Sequence, residues 1–119
     1  MIKLGILGSG AVLRWHILGV EGNENVSVTA LASRNEVTGK EGCKVLGAKY
    51  YKSAEEMLRN EKDLDGIINL MPNHLHNETC CEVIDSGCRF ILCEKPLGND
   101  ISQTIKLVEK AVEDSKQSA

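Results

Sequence analysis

The chain has 119 residues, of which 42% are hydrophobic and 26% charged, a composition typical of one globular domain. Its formal net charge of −3 and the lack of any basic run argue against a nucleic-acid partner. No apolar stretch approaches the roughly 20 residues that span a bilayer, and no secretory leader pattern opens the sequence. These features predict a cytoplasmic protein without membrane contact.

The five cysteines are an odd number in a sequence without a leader, which indicates thiols in a reducing compartment. His76 and Cys80 are spaced i, i+4, so they could face one metal ion if their segment is helical. Cys80 also lies on an apolar helical stripe, which favours a small buried core residue. No metal site is therefore predicted.

The first motif is a short apolar strand that stops at Gly8-Ser9-Gly10 and is followed at once by an amphipathic helix over 11–21. Glycine at position 8 allows a tight turn, and glycine at position 10 lets a phosphate approach the backbone. The helix that follows directs free N–H groups and its positive dipole end to the same place. Leu13 occupies the position of the usual third glycine, so the motif alone leaves open a turn that binds nothing.

Alternating strand and helix patterns continue through the chain. They predict strands over 2–7, 26–32, 49–51, 64–70 and 89–93, with helices over 11–21, 36–46, 54–60, 76–86 and 101–114. Gly39 and Gly42 weaken the second of these helices. Ser53 and Glu56 form a capping box for the third, and Gly87 follows the fourth as a C′ residue. The tail over 115–119 is polar and is expected to fray.

Two helices have predicted apolar faces. In the first helix the stripe that should pack on the sheet is Val12, Trp15, Leu18 and Gly19. In the last helix, one face carries Ile101, Ile105, Val108 and Val112.

Strict alternation of strands and helices predicts an α/β fold, a doubly wound parallel sheet in the order 3-2-1-4-5, covered on both faces as a single three-layer domain. Ligands of such sheets bind beyond the carboxyl ends of the strands, at the switch between strands 1 and 4. The loops 71–76 and 94–98 lie at that same edge. Three loops are therefore expected to share one crevice, with Gly10, Asn73 and Lys95 on a common groove.

Four motifs in this order closely resemble the Gfo/Idh/MocA family of NAD(P)-dependent sugar and polyol oxidoreductases. They are Gly8-Ser-Gly10, Trp15-His16, Met71-Pro-Asn-His-Leu-His76 and Cys93-Glu-Lys-Pro-Leu97. The resemblance spans essentially the whole chain and implies that residues 1–119 form an NAD(P)-binding Rossmann domain.

The resemblance also implies the site residues. The pyrophosphate would be held by Gly8, Ser9, Gly10, Ala11 and Val12, and the ribose side would be lined by Met71, Pro72, Asn73 and His76. Glu94 would contact the nicotinamide end, and Lys95 would assist proton transfer at a substrate hydroxyl. The Lys95–Pro96 bond is cis in the family's pattern. For His16 and His74, structural or cofactor-edge roles are favoured over catalysis.

The choice between NAD and NADP depends on the end of the second strand. An acidic residue there would bind the ribose 2′-hydroxyl of NAD, but Ser33 and Arg34 occupy this place. Ser33 and Arg34 together suit a 2′-phosphate better, because arginine offers it a planar, charged fork, so both are predicted to bind the cofactor and NADP is favoured. Glu36 is close enough to serve NAD instead.

The family's enzymes carry a second domain that supplies the substrate pocket, and this chain does not include it. The chain would then be a truncated or shortened product, or a stand-alone nucleotide module. Two functions stay open: the cofactor-binding half of an oxidoreductase, and a non-catalytic dinucleotide-binding or interaction module. Strand 89–93 is expected to form an exposed sheet edge that could pair with a second copy.

Overall fold

The computed structural model describes residues 2–10, 13, 17, 19, 23–71, 76–88, 90–93 and 101–118. Its strands are β1 (Ile2–Leu7), β2 (Val26–Ala32), β3 (Lys49–Tyr51), β4 (Gly66–Asn69) and β5 (Phe90–Cys93). Its helices are α1 (Glu36–Leu46), α2 (Ala54–Asn60), α3 (His76–Asp85) and α4 (Ile101–Ser118). Between β1 and β2, residues 13, 17 and 19 are helical, and the remainder of the predicted 11–21 helix lies outside the described residues.

The five strands form one parallel sheet in the order β3-β2-β1-β4-β5, as the sequence predicts. Strand β1 is central and pairs with β2 on one side and β4 on the other. The switch point of this doubly wound sheet therefore lies between β1 and β4, where a crevice opens at the carboxyl ends of the strands.

Successive strand residues point to opposite faces of the sheet, so two cores form. On one face, Leu7 and Ile67 pack with Met57 of α2 and Val83 of α3. On the other face, the core consists of Ile6, Val28, Leu31, Ile68 and Leu70 with Leu13 and Cys43. The sheet is thus covered on both sides by helices, which fixes the positions of the loops at its carboxyl edge.

Several predicted boundaries and faces differ from the observed ones. Strand β4 begins at Gly66 instead of 64, and β5 is described from Phe90, with Arg89 outside the described residues. Helix α4 continues to Ser118, so the expected frayed tail is wrong over 115–118. No glycine or proline lies between 101 and 118 to stop the helix.

The predicted packing faces of the two outer helical segments need correction. Leu13 and Ile17 contact the core in the first segment, whereas Gly19 is exposed. Among the α4 side chains described, those of 104–113, the buried one is Leu107, which packs on Cys80 and Ile84 of α3. The predicted α4 stripe is instead exposed at Ile105, Val108 and Val112.

No helix in the described part of the chain combines the length and the apolar character that a membrane span requires.

Candidate functional site

The turn after β1 is held tightly between the ends of its two neighbouring strands. Gly8 has a φ of 102°, a conformation that favours glycine, and its N–H donates to the Ala32 carbonyl at 2.7 Å. A Cβ added at Gly8 would lie 2.6 Å from the Leu70 carbonyl oxygen, closer than such atoms approach one another. Glycine is therefore required at this position by backbone conformation and by the nearby end of β4.

Gly10 differs from Gly8, because a Cβ built on it has no neighbour within 4 Å among the residues that the structure describes. Its φ is not positive, so the backbone would accept another residue. The Leu13 N–H donates to the Gly10 carbonyl at 3.0 Å and begins the helical turn. The space beside Gly10 is thus open at the start of a helix, where an anion can meet backbone N–H groups.

Three hydroxyl groups join the β1 turn to the β2–α1 turn. Ser9 Oγ lies 2.5 Å from Ser33 Oγ and 2.6 Å from Thr38 Oγ1. Ser33 is almost fully buried, and its Oγ also accepts a hydrogen bond from the Asn35 N–H at 3.2 Å. The two turns are consequently fixed relative to each other before any ligand arrives.

The β2–α1 turn is supported from outside by Tyr50 of β3, whose hydroxyl donates to the Ser33 carbonyl at 2.7 Å. A Cβ added at Gly39 would lie 2.6 Å from the Tyr50 ring, so the glycine gives the ring its space. Asn35 caps α1 by accepting from the Thr38 N–H at 3.2 Å.

Leu13, which replaces the third glycine of the phosphate-binding motif, packs against α1 at a glycine. Leu13 is buried, and a Cβ added at Gly42 would lie 3.0 Å from its Cδ2 atom. The two glycines that weaken α1 in sequence are therefore the positions where Tyr50 and Leu13 pack against it.

The end of β4 supplies the opposite wall of the crevice. The Leu70 N–H donates to the Leu7 carbonyl at 2.7 Å, which continues the sheet hydrogen bonding past the strand. Asn69 is fully buried, and its Oδ1 accepts from the Met71 N–H at 3.1 Å. Its Nδ2 donates to Cys80 Sγ at 3.4 Å, which connects the start of the β4–α3 loop to α3.

These elements enclose a groove of about 850 Å³ at the carboxyl edge of the sheet. It is lined by Gly8, Ser9, Gly10, Leu13, Ser33, Arg34, Asn35, Thr38, Glu41, Gly42, Val45, Leu70 and Met71. A groove of this volume is within the usual range for small-molecule and cofactor sites.

Six of the predicted site residues border this one groove, namely Gly8, Ser9, Gly10, Ser33, Arg34 and Met71. His76 is the first residue of α3, and nothing is described of its side chain. Ala11, Val12, Pro72, Asn73, Glu94 and Lys95 lie outside the described residues, as do His16, His74 and the Lys95–Pro96 bond. The structure therefore brings the phosphate-turn and β2-end predictions together, and the positions of the other residues stay predictions.

Arg34 and Glu36, the two charged residues near the end of β2 that are candidates for contact with the adenosine ribose, differ in their position relative to the groove. Arg34 is exposed and lines the groove. Glu36 does not line it, and its carboxylate binds Lys40 Nζ at 2.6 Å. The hydrogen bond from Lys40 lowers the pKa of Glu36, and both side chains of this pair are exposed.

A smaller cleft of about 150 Å³ adjoins the groove and shares Arg34 and Met71 with it. Its lining also includes Glu55, Glu78 and Glu82. Partial burial, with Glu78 and Glu55 close by, raises the pKa of Glu82. Arg34 and Met71 therefore lie where the groove and the smaller cleft adjoin, and the three carboxylates line only the cleft.

Sequence reasoning did not identify Thr38, Tyr50 or Asn69 as part of this site. Asn35-Glu36-Val37-Thr38 carries the local signal of a helix N-cap, which could have located the Asn35 cap. No local signal connects Tyr50 to Ser33, since that contact depends on the pairing of β2 with β3. The polar Asn69 in an otherwise apolar strand was the available indication of a special role.

A family model described as "Oxidoreductase family, NAD-binding Rossmann fold" matches residues 2–119. Among curated proteins, glucose-6-phosphate 3-dehydrogenase of Bacillus subtilis is 24% identical over 103 residues. That match covers 87% of this chain and 28% of the relative. The chain therefore spans less than a third of that relative's length.

Two solved structures illustrate the likeness of the fold. The WlbA dehydrogenase of Chromobacterium violaceum, solved with NADH and UDP-GlcNAcA, has a TM-score of 0.89 and 22% identity over 96% of this chain and 33% of its own. KijD10, a 3-ketoreductase of Actinomadura kijaniata solved with NADP and TDP-benzene, has a TM-score of 0.83 and 27% identity over 95% of this chain and 34% of its own. The WlbA dehydrogenase shares its backbone fold with this chain. The WlbA structure contains NADH and the KijD10 structure contains NADP.

Proposed function

The chain belongs to the Gfo/Idh/MocA oxidoreductase family through its NAD-binding Rossmann fold, and from this premise we propose that it is the cofactor-binding domain of a hydride-transferring enzyme. The substrate class that the family resemblance favours is a sugar, a polyol or a related hydroxy compound. The open space beside Gly10, at the meeting point of three strand ends, is the observation that carries the proposal.

The described residues fit a dinucleotide. Gly8 and Gly10 line the groove, and no atom of the described residues lies within 4 Å of a Cβ built at position 10. Backbone N–H groups and the helix dipole at such a place stabilise a pyrophosphate. Arg34 and Met71 both line the groove, and the end of β2, which Arg34 follows, is where the adenosine ribose is proposed to lie.

The nicotinamide ring, when bound, would accept or donate the hydride. In this proposal Lys95 holds and moves the proton at the substrate hydroxyl, and Glu94 contacts the nicotinamide end. An ammonium group can stabilise developing alkoxide charge, and burial brings its pKa toward useful values. Ala11, Val12, Pro72, Asn73 and His76 complete the proposed cofactor contacts.

Isothermal titration calorimetry with NADP, NAD and ADP tests the proposed function. Saturable binding of at least one dinucleotide at one site per chain is the expected result. If the folded chain, checked by circular dichroism, binds neither dinucleotide at millimolar concentration, the proposed cofactor function is wrong.

We propose NADP as the preferred cofactor because Arg34 lines the groove while Glu36 is paired with Lys40 outside it. The Ser33 hydroxyl already bonds Ser9 and Asn35, so Ser33 shapes the turn and Arg34 makes the contact with a 2′-phosphate.

Arg34→Ala should weaken NADP binding by about 10- to 100-fold, the usual effect of losing hydrogen bonds to a charged group. NAD binding should change by less than about threefold, because its ribose carries no phosphate for the guanidinium to bind. Calorimetry on both cofactors measures the difference, and Arg59→Ala, an exposed arginine of α2, serves as the control. An equal loss for NADP and NAD would contradict the assignment to a 2′-phosphate.

A second copy of the chain is the proposed protein partner, and the cytoplasm is the proposed location. Strand β5 is the outermost strand of the described sheet, and it exposes Phe90, Ile91 and Leu92. An uncovered apolar edge is a template for strand pairing.

Ile91→Lys should reduce concentration-dependent dimerisation in sedimentation velocity, because a charge on an edge strand opposes pairing. A strict monomer before substitution would refute the proposed dimer.

A further inference from the structure

We propose that Asn69 is a positioning residue, which holds Met71 at the border of the groove so that Met71, like Arg34, contacts the adenosine half of the cofactor. This inference rests on the proposed cofactor function and assigns a role within the same groove. Asn69 itself does not line the groove, so its effect must pass through the chain that follows it.

Burial of Asn69 makes its hydrogen bonds energetically important. The residue is 0% exposed at the end of β4, directly after the apolar pair Ile67 and Ile68. An amide in such surroundings is costly unless both of its ends are bonded. Its Oδ1 accepts from the Met71 N–H at 3.1 Å, and its Nδ2 donates to Cys80 Sγ at 3.4 Å.

These two bonds reach both sides of the β4–α3 loop. Met71 stands at the beginning of that loop, and Cys80 lies about one helical turn past His76, where α3 begins. A single side chain therefore fixes the distance between the loop's start and the helix that receives it. Leu70 is anchored separately, because its own N–H donates to Leu7 at 2.7 Å. Loss of the Asn69 amide should thus release the chain from Met71 onward, while the strand itself keeps its pairing.

The position of Met71 indicates which part of the ligand would respond. Met71 borders both the groove and the smaller cleft, and Arg34 is the other residue that borders both. Arg34 follows β2, the strand whose end receives the adenosine ribose in this type of fold. Displacement of Met71 should therefore weaken contacts with the adenosine half, which NADP, NAD and ADP-ribose share.

A double-mutant cycle in nucleotide affinity tests the proposal. Asn69→Leu, which keeps the volume approximately and avoids a buried charge, should weaken ADP-ribose and NADP binding to a similar extent, by about five- to tenfold. Met71→Ala removes the side chain that Asn69 is proposed to place. In the Met71→Ala background, Asn69→Leu should cost less than about twofold more, because the two changes act through one contact.

Cys80→Ala offers a second route, because it removes the sulfur that receives the Nδ2 hydrogen bond. It should produce a smaller loss of affinity that also disappears in the Met71→Ala background. Cys43→Ala is the matched control, since Cys43 is a buried cysteine in the core on the opposite face of the sheet. Its effect on affinity should be unchanged by Met71→Ala.

Each other outcome overturns the inference. Additive losses for Asn69→Leu and Met71→Ala would show that Asn69 only supports the fold. A loss for NADP without one for ADP-ribose would place its influence at the nicotinamide end, and unchanged affinity would show no influence. Failure of the unsubstituted chain to bind either ligand would instead reject the proposed cofactor function, and with it the role of Asn69.

Discussion

Gly10→Ala is expected to weaken both NADP and NAD binding by at least about tenfold, a loss of 1.4 kcal/mol, while leaving the chain folded. The added methyl group meets no atom of the described residues within 4 Å, and the backbone at residue 10 does not have a positive φ. Gly10 lines the groove in which the pyrophosphate is proposed to lie, so we expect the methyl group to compete with the pyrophosphate for that space. Calorimetry gives the affinities, and urea denaturation gives the free energy of unfolding.

Gly19→Ala is the matched control for this experiment. Within the described part of the chain, a Cβ at Gly19 also has no neighbour within 4 Å, and Gly19 is helical like Leu13 but does not line the groove. It should bind both cofactors as the unsubstituted chain does. Normal affinity in Gly10→Ala would remove the observation on which the cofactor proposal depends most.

Gly8→Ala, unlike Gly10→Ala, is expected to lower the free energy of unfolding strongly. The methyl group would lie 2.6 Å from the Leu70 carbonyl oxygen, and φ at this residue is 102°. Backbone strain of about 1–2 kcal/mol and overpacking of about 1–3 kcal/mol suggest a total near 3 kcal/mol. Urea denaturation measures this loss as a lower midpoint, at an unchanged dependence on denaturant concentration.

Gly47→Ala separates the two causes of that loss. Gly47 ends α1 with a φ of 71°, and a Cβ there comes within 4 Å of no atom in the residues described. Its substitution should therefore cost the strain alone, about 1 kcal/mol. If Gly8→Ala costs no more than Gly47→Ala, the contact between the β1 turn and the end of β4 is looser than the structure indicates.

The order of elements could be predicted because each strand and helix has a strong local pattern. The β-branched run of β2 and the capping box at Ser53 are examples, and both elements occur where expected. The shared groove of Gly10, Ser33 and Met71 followed from topology, since parallel strands end at one edge. The further convergence on Asn73 and Lys95 stays a prediction.

Packing between distant elements was not readable from the sequence. By helix propensity alone, Gly39 only weakens α1. The space that this glycine leaves is filled by the ring of Tyr50, which lies on β3 and cannot be inferred from the local sequence. The buried face of α4 was also misjudged. A stripe of apolar residues marks one face of a helix, but only the position of α3 shows that Leu107 makes the contact.

The contact between Leu13 and Gly42 has a consequence for how relatives of this chain diverge. Leu13 stands where the motif usually has its third glycine, and the glycine that leaves space for this leucine is Gly42 of α1, 29 positions later in the sequence. The two sites should therefore vary together, with a bulky residue at one requiring a small residue at the other. A search that demands three closely spaced glycines would overlook such proteins, whereas one that tests this distant pair would retain them.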